Sequence, residues 1–392
     1  MTSHPHALVV LAMLLLGAAR LQGADRLPDP TLNLKLAAPI TTWDEAIPLG
    51  NGLMGGLLWG EGNLIRLSLD RGDLWDERPA PGDPLSKFSY AQMVRLVAEQ
   101  KNSEIARIAD AQGYDQKHPT KIPAGRLEIT LDPSQQVQSF ELNLASAEGR
   151  AWFTNGIKLE ALFAAAEPGP ATSGLARPFR PYPVALVRLP GPEPRRVRLL
   201  PPASVKQLGY PEPRVGEAQN LTWFEQDTAE GDHFCVTVGR QRVGETTLLA
   251  VTVATRAEGK SPQAVAARRV ESALATGYEA MLRSHTAYWT DFWARSRVEF
   301  PEPDILRHYY LVQYFYGAAS RRFAPPLPLQ GVWTADAGTL PPWKGDYHHD
   351  LNTQMTYMGY QTAGRFEEGA CFLDFLRERR PAFERFARDF FG

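Results

Sequence analysis

The densest collection of polar and aromatic side chains lies in segment 329–359, LQGVWTADAGTLPPWKGDYHHDLNTQMTYMG. It holds Trp333, Asp336, Trp343, Lys344, Asp346, Tyr347, His348, His349, Asp350, Asn352, Gln354 and Tyr357. Aromatic faces beside carboxylates and amides suit a sugar: ring C–H faces pack on indole or phenol, and hydroxyls take fixed hydrogen bonds from amides and acids. Carboxylates in such a setting can also act as acid or base in glycosidic cleavage. Each residue has a structural alternative. Asp350 could be only a helix N-cap, Asn352 and Gln354 solvated first-turn residues, and Trp333 and Trp343 core packing at a domain seam. His348, His349 and Asp350 raise a metal hypothesis, but adjacent side chains point apart and no HExxH spacing exists, so no metal and no cofactor is expected.

The elements that must hold this segment follow from periodicity. Between 32 and about 255 the pattern is strand-like, in short runs at 53–59, 64–69, 126–131, 138–144, 151–153, 158–164, 184–189, 196–200, 233–238 and 246–255. Asn155-Gly156 reads as a hairpin turn, and 89–111 as a helical insertion. Five prolines and two glycines in 168–183 mark a surface loop. Many short strands between glycine and proline turns predict a large β-sandwich. From about 261 the spacing of apolar residues changes to threes and fours, predicting one or two helices over 262–295. A further helix is expected from an N-cap at Asp304 to about 322, a third from near Asp350, and a fourth after Gly369. The helix over 304–322 carries apolar and aromatic residues on nearly all sides, which predicts burial within a larger helical assembly. The expected organisation is therefore multidomain β plus α: residues 25–260 a β-sandwich, 261–300 a helical linker, and 301–392 a helical part.

Length and composition narrow the partners. The 392 residues carry 42 Lys plus Arg against 44 Asp plus Glu, a formal charge of -2, so no electrostatic motive exists for binding nucleic acid or an anionic membrane. Glycine and proline, 32 each, make about 16% of the chain against a usual ~12%, as a turn-rich protein requires. Two cysteines, Cys235 and Cys371, cannot build a disulfide framework and are expected as buried free thiols. Residues 7–19 form an apolar run too short to span a bilayer, followed by small residues. That pattern predicts a signal peptide over 1–24, a secreted or periplasmic location, and no membrane association after cleavage.

Two N-terminal stretches, WDEAIPLGNGLMGGLLWG from Trp43 and LIRLSLDRGDLWD from Leu64, complete the pattern. The first must turn tightly at Gly50-Asn51-Gly52, and nothing in it resembles a phosphate loop. With segments 122–129 and 140–145, LQGVW from Leu329 and PWKGDYHHDLNTQM from Pro342, they resemble glycoside hydrolase family 95, the inverting α-L-fucosidases and related α-L-galactosidases. The resemblance implies a β-supersandwich, a helical linker and the first helices of an incomplete (α/α)6 barrel. It implies an exo-acting inverting glycosidase on the non-reducing ends of oligosaccharides or glycoconjugates. The second water-activating asparagine of the family falls on Asn352 and a sugar-contacting histidine on His348, with Trp343, Tyr347 and Gln354 nearby. The first asparagine is replaced by Asp350, which would either take the water's proton directly or change the sugar recognised. The proton-donating glutamate has no counterpart in these residues, so the chain alone is expected to be inactive. The rival expectations are a carbohydrate-binding β-sandwich without catalysis and a related glycosidase of different specificity.

Overall fold

The computed structural model describes residues 27–79, 88–109, 117–168, 179–336 and 338–392. The expected signal peptide and most of the proline-rich loop lie outside them. Sixteen strands are described, all paired antiparallel. In chain order they are β1 Leu34–Ala37, β2 Ile47–Gly50, β3 Met54–Glu61, β4 Leu64–Arg71, β5 Trp75–Asp76, β6 Thr120–Lys121, β7 Gly125–Thr130 and β8 Val137–Asn143. There follow β9 Glu148–Phe153, β10 Lys158–Phe163, β11 Val184–Pro190, β12 Arg196–Leu200, β13 Arg214–Ala218, β14 Leu221–Asp227, β15 His233–Val243 and β16 Thr246–Thr255. Nine form one sheet in the order β1-β8-β9-β10-β11-β16-β15-β14-β13, and five form a second in the order β12-β7-β4-β3-β2. β5 and β6 make a small ribbon beside them.

Alternation explains the sandwich. Leu58, Ile65, Leu67, Leu127 and Ile129 of the smaller sheet meet Phe140, Phe153, Phe163, Val187 and Val251 of the larger in one core. Leu162, Ala164, Val184, Leu186 and Ala250 point the other way and are buried as well. Two helices, α3 Pro262–Thr276 and α4 Tyr278–Ala294, supply Val270, Leu274, Tyr278 and Met281 to that second layer. Runs such as Val184-Ala185-Leu186-Val187 are continuously apolar because the middle of the large sheet is covered on both faces.

The hairpin at Asn155-Gly156 joins β9 to β10, with Gly156 at φ +78° and Asn155 Oδ1 accepting from the Ile157 amide. The insertion is two short helices, α1 Tyr90–Ala98, opened by a Ser89/Gln92 capping box, and α2 Asn102–Ala109. Beyond α4 come α5 Pro303–Ala319, α6 Asn352–Met358 and α7 Phe366–Phe391. Two expectations need correction. The α5 cap is Glu302, and Asp304 lies inside the first turn, because Pro303 takes the first helical position where no amide is needed. The last helix starts at Phe366, ahead of Gly369, which is an interior position packed against Tyr360. Both cysteines are free and buried.

The helical part is bolted to the sandwich through the glycine-rich turn. Asn51 is fully buried; its Nδ2 donates to Ala164 O and Tyr182 O, and its Oδ1 accepts from the Leu53 and Met54 amides. Gly52, at φ +93°, donates its amide to Ala318 O at the end of α5 (2.7 Å). A Cβ on Gly50 would lie 2.3 Å from that same carbonyl oxygen, so helix and turn meet backbone to backbone.

A second bolt is His285 on α4, fully buried between the sandwich backbone groups. Its Nε2 donates to Ser146 O (2.8 Å) and its Nδ1 accepts from the Ala165 amide (3.2 Å). Burial pushes its pKa down to about 4, so the native ring is neutral and the unfolded ring, near 6.5, binds a proton first. Stability is therefore lost as pH falls from about 6.5 towards 4. Urea unfolding should show roughly 2–3 kcal/mol of pH-dependent loss by pH 4.5 attributable to this ring. His285→Gln, less stable at pH 7.5, should lack that part of the acid slope; an unchanged slope would exclude the histidine as its source.

Candidate functional site

Segment 326–359 crosses the seam between the sandwich and the helices, and the seam positions it. Asp70 on β4 is 1% exposed, as is Lys121 on β6, and Lys121 Nζ donates to Asp70 Oδ1 at 2.6 Å. Lys121 Nζ also reaches Arg71 O at 2.6 Å, the Arg71 amide donates to Asp70 Oδ1, and the Thr334 hydroxyl donates to Asp70 Oδ2. Burial pushes the Asp70 carboxyl up, and the three donors around it, Lys121, Thr334 and the Arg71 amide, act against that shift. Asp336 accepts from Ser68 Oγ (2.6 Å) and Arg126 Nη1 (3.1 Å), and Trp333 Nε1 donates to Leu49 O (2.8 Å). Residues 68–70 of β4, Leu49 of β2 and the run 333–336 are thus laced together across the chain.

Past this lacing the backbone makes a left-handed turn. Trp343, Lys344 and Gly345 have φ of 54°, 60° and 60°, which costs on the order of 1–2 kcal/mol for each non-glycine residue. The turn holds its shape because Lys344 N donates to Pro341 O (3.0 Å) and Leu329 N to Asp346 O (3.1 Å). It leaves the Trp343 ring 62% exposed. That ring, with Leu340, Pro341, Pro342 and Lys344, walls a cavity of about 670 Å³ whose other side is Lys117 and Thr120 from the sandwich. His348 packs edge to face with Trp343 at 5.7 Å, and its Nδ1 lies 2.7 Å from Asp346 Oδ1, a close pairing without the alignment of a hydrogen bond. Burial raises the Asp346 carboxyl, opposed by His348 and Lys344 and reinforced by Asp350. Burial likewise lowers Lys344 and His349.

The residues named from sequence divide into three groups. Trp343 lines the cavity, and His348 packs against its ring without lining the cavity. Tyr347 turns the other way, its hydroxyl donating to Pro326 O (2.8 Å) and its ring stacked with Trp75 (5.6 Å) and His349 (5.8 Å). Asp350, Asn352 and Gln354 are exposed at the start of α6 and line neither this cavity nor the second one described below. Asp350 is not the N-cap: Leu351 occupies that position, and His348 O accepts the Leu351 and Thr353 amides. Gln354 Nε2 donates to His349 O (2.6 Å). Among the described residues no three His, Cys, Asp or Glu side chains gather as a metal site. A second, more apolar cavity of about 640 Å³ lies between Trp43, Phe315, Gln330, Trp333 and Met355. Lys117 and Thr120 went unnoticed in the sequence; they lie more than 200 residues before Trp343 and carry no local motif.

Two family models match this chain. Residues 34–167 match the glycosyl hydrolase family 65 N-terminal domain, and residues 283–392 match the glycosyl hydrolase family 95 catalytic domain. Both parts are of glycoside-hydrolase type. The family named by the resemblance is thus matched over the helical part, and a different one over the sandwich. Among solved structures, "Putative kojibiose phosphorylase from human microbiome" is similar at 10% identity and a TM-score of 0.45, over 79% of this chain. The present chain spans 42% of the length of that one. No curated protein matches.

The seam gives a direct test. Lys121→Met leaves a buried carboxylate with its strongest partner gone, and should cost about 3–5 kcal/mol in chemical denaturation. Adding Asp70→Asn in the same chain should recover part of the loss. Equal stability of Lys121→Met and wild type would show that the pair does not hold the seam.

Proposed function

We propose that this chain binds the non-reducing end of an oligosaccharide or glycoconjugate for hydrolysis, in the manner of an inverting, exo-acting α-L-fucosidase-like enzyme. The observation that carries the reading is the exposed Trp343 ring, held in an unfavourable backbone conformation as the wall of a sugar-sized cavity beside His348 and Asp346. A polypeptide spends strain on an exposed indole where a ligand uses it. The two glycoside-hydrolase family matches support the same chemistry. In this reading Trp343 stacks on the pyranose. The roles of His348 and Gln354 at its hydroxyls and of Asp350 and Asn352 at the attacking water, with Asp350 as the proton acceptor, rest on the resemblance alone, since Asp350, Asn352 and Gln354 line neither cavity. The general acid is a glutamate by the same resemblance, and binding is the activity tested on this chain. The enzyme is taken to act outside the cytoplasm, after removal of 1–24.

A second reading, carbohydrate binding without cleavage, draws on the exposure of Asp350 and Asn352 away from both cavities. Calorimetric titration of the chain with α-L-fucosyl- and α-L-galactosyl-terminated oligosaccharides tests both. Binding is expected, and Trp343→Ala should weaken it about tenfold, the worth of one ring stacking contact. Absence of binding across the panel would remove the proposal. In any form of the protein that cleaves a nitrophenyl α-L-fucoside, Asp350→Ala should lower kcat about 100-fold or more. Full activity in that variant would exclude Asp350 as the base and favour binding alone for this segment.

A further inference from the structure

The geometry points to Asp346 and His348 as positioning residues that hold the Trp343 ring ready for a sugar, an inference that rests on the carbohydrate reading above. Backbone hydrogen bonds hold the left-handed turn at 343–345, and two side-chain contacts bear on the indole itself. The His348 ring packs edge to face with Trp343 at 5.7 Å, and Asp346 Oδ1 sits 2.7 Å from His348 Nδ1. Asp346 is itself fixed: its carbonyl accepts from Leu329 N (3.1 Å) and its amide donates to Trp343 O (3.4 Å). His348 is fixed too, because its carbonyl takes the Leu351 and Thr353 amides at the start of α6. The indole is thus connected through imidazole and carboxylate to the seam and to the helix that carries Asn352. Gly345 lets the turn approach Lys121, since a Cβ there would stand 3.1 Å from the lysine Cβ. Asp346 and His348 need not touch the sugar for this: they remove the ordering cost that a mobile indole would pay on binding.

Protein labelled with 5-fluorotryptophan tests the inference. It carries nine tryptophans, and the fluorine resonance lost in Trp343→Phe belongs to Trp343. Without any sugar, Asp346→Ala and His348→Ala should shift that resonance towards the solvent-exposed position while the other eight stay in place. Asp346→Asn, which keeps an oxygen at the same reach, should restore it. His348→Phe keeps a ring against the indole but loses the carboxylate, and should move the resonance as Asp346→Ala does. Should the alanine variants disturb all nine resonances, this phenylalanine variant decides. A Trp343 resonance that ignores Asp346→Ala and His348→Phe overturns the inference. With α-L-fucosyl oligosaccharide present, both variants should bind about threefold to tenfold more weakly than wild type, the range set by ordering one side chain. Wild-type affinity in Asp346→Ala would also overturn it. A wild-type Trp343 resonance unmoved by any oligosaccharide counts instead against the carbohydrate reading and removes the purpose of the positioning, while the sugar-free spectra still judge the contacts.

Discussion

A buried carboxylate sets the arrangement of the whole molecule. Asp70 comes from a strand of the smaller sheet, Lys121 from the short ribbon, and Thr334 from the run that leads out of the helices. Each belongs to a different stretch of chain, and none can leave without stranding a charge or a donor in a dry interior. The strand register then places Asp70 opposite Gly55, whose missing side chain admits Val332. Charge pairing and close approach therefore fix the same seam from two directions.

The glycine-rich turn and α5 extend that logic. Asn51 completes four hydrogen bonds in a place that no water reaches, and Gly50 and Gly52 allow the last turn of α5 to rest on the backbone itself. Tyr314 OH donates to Pro48 O at 2.8 Å, and Trp289 stacks on Tyr314 at 5.3 Å, so the aromatic helices continue the sandwich core. The conspicuous motif in the N-terminal half is a mechanical joint. Its contribution to function is indirect: it holds segment 326–359 against the strands.

The segment carries its chemistry on opposite sides. Tyr347 and His349 face inward to Trp75, Phe372 and Phe375, while Asp346 and His348 lie beside Trp343, which walls the cavity. Alternation of neighbouring residues in an irregular stretch produces this division. Burial anchors one side of the loop, and the left-handed turn lies on the other.

Sequence alone determined the classes of element. Alternating and continuous apolar runs showed the strands, the change of period near 261 showed the helices, and 196–200 and 246–255 coincide with β12 and β16. It also singled out the stretch that bears Trp343 and His348. It did not show β2, β13 or β14: Ile47–Gly50 is masked by proline and glycine, Arg214–Ala218 is a solvent-exposed edge, and Leu221–Asp227 is mostly polar. Nor could it find Lys117 and Thr120 as the far wall of the cavity, or tell which of His348 and His349 packs against Trp343. Local periodicity records only whether a residue is covered. Which distant residue covers it depends on register, on left-handed turns and on the pairing of buried charges, and those exist only once the chain has closed on itself.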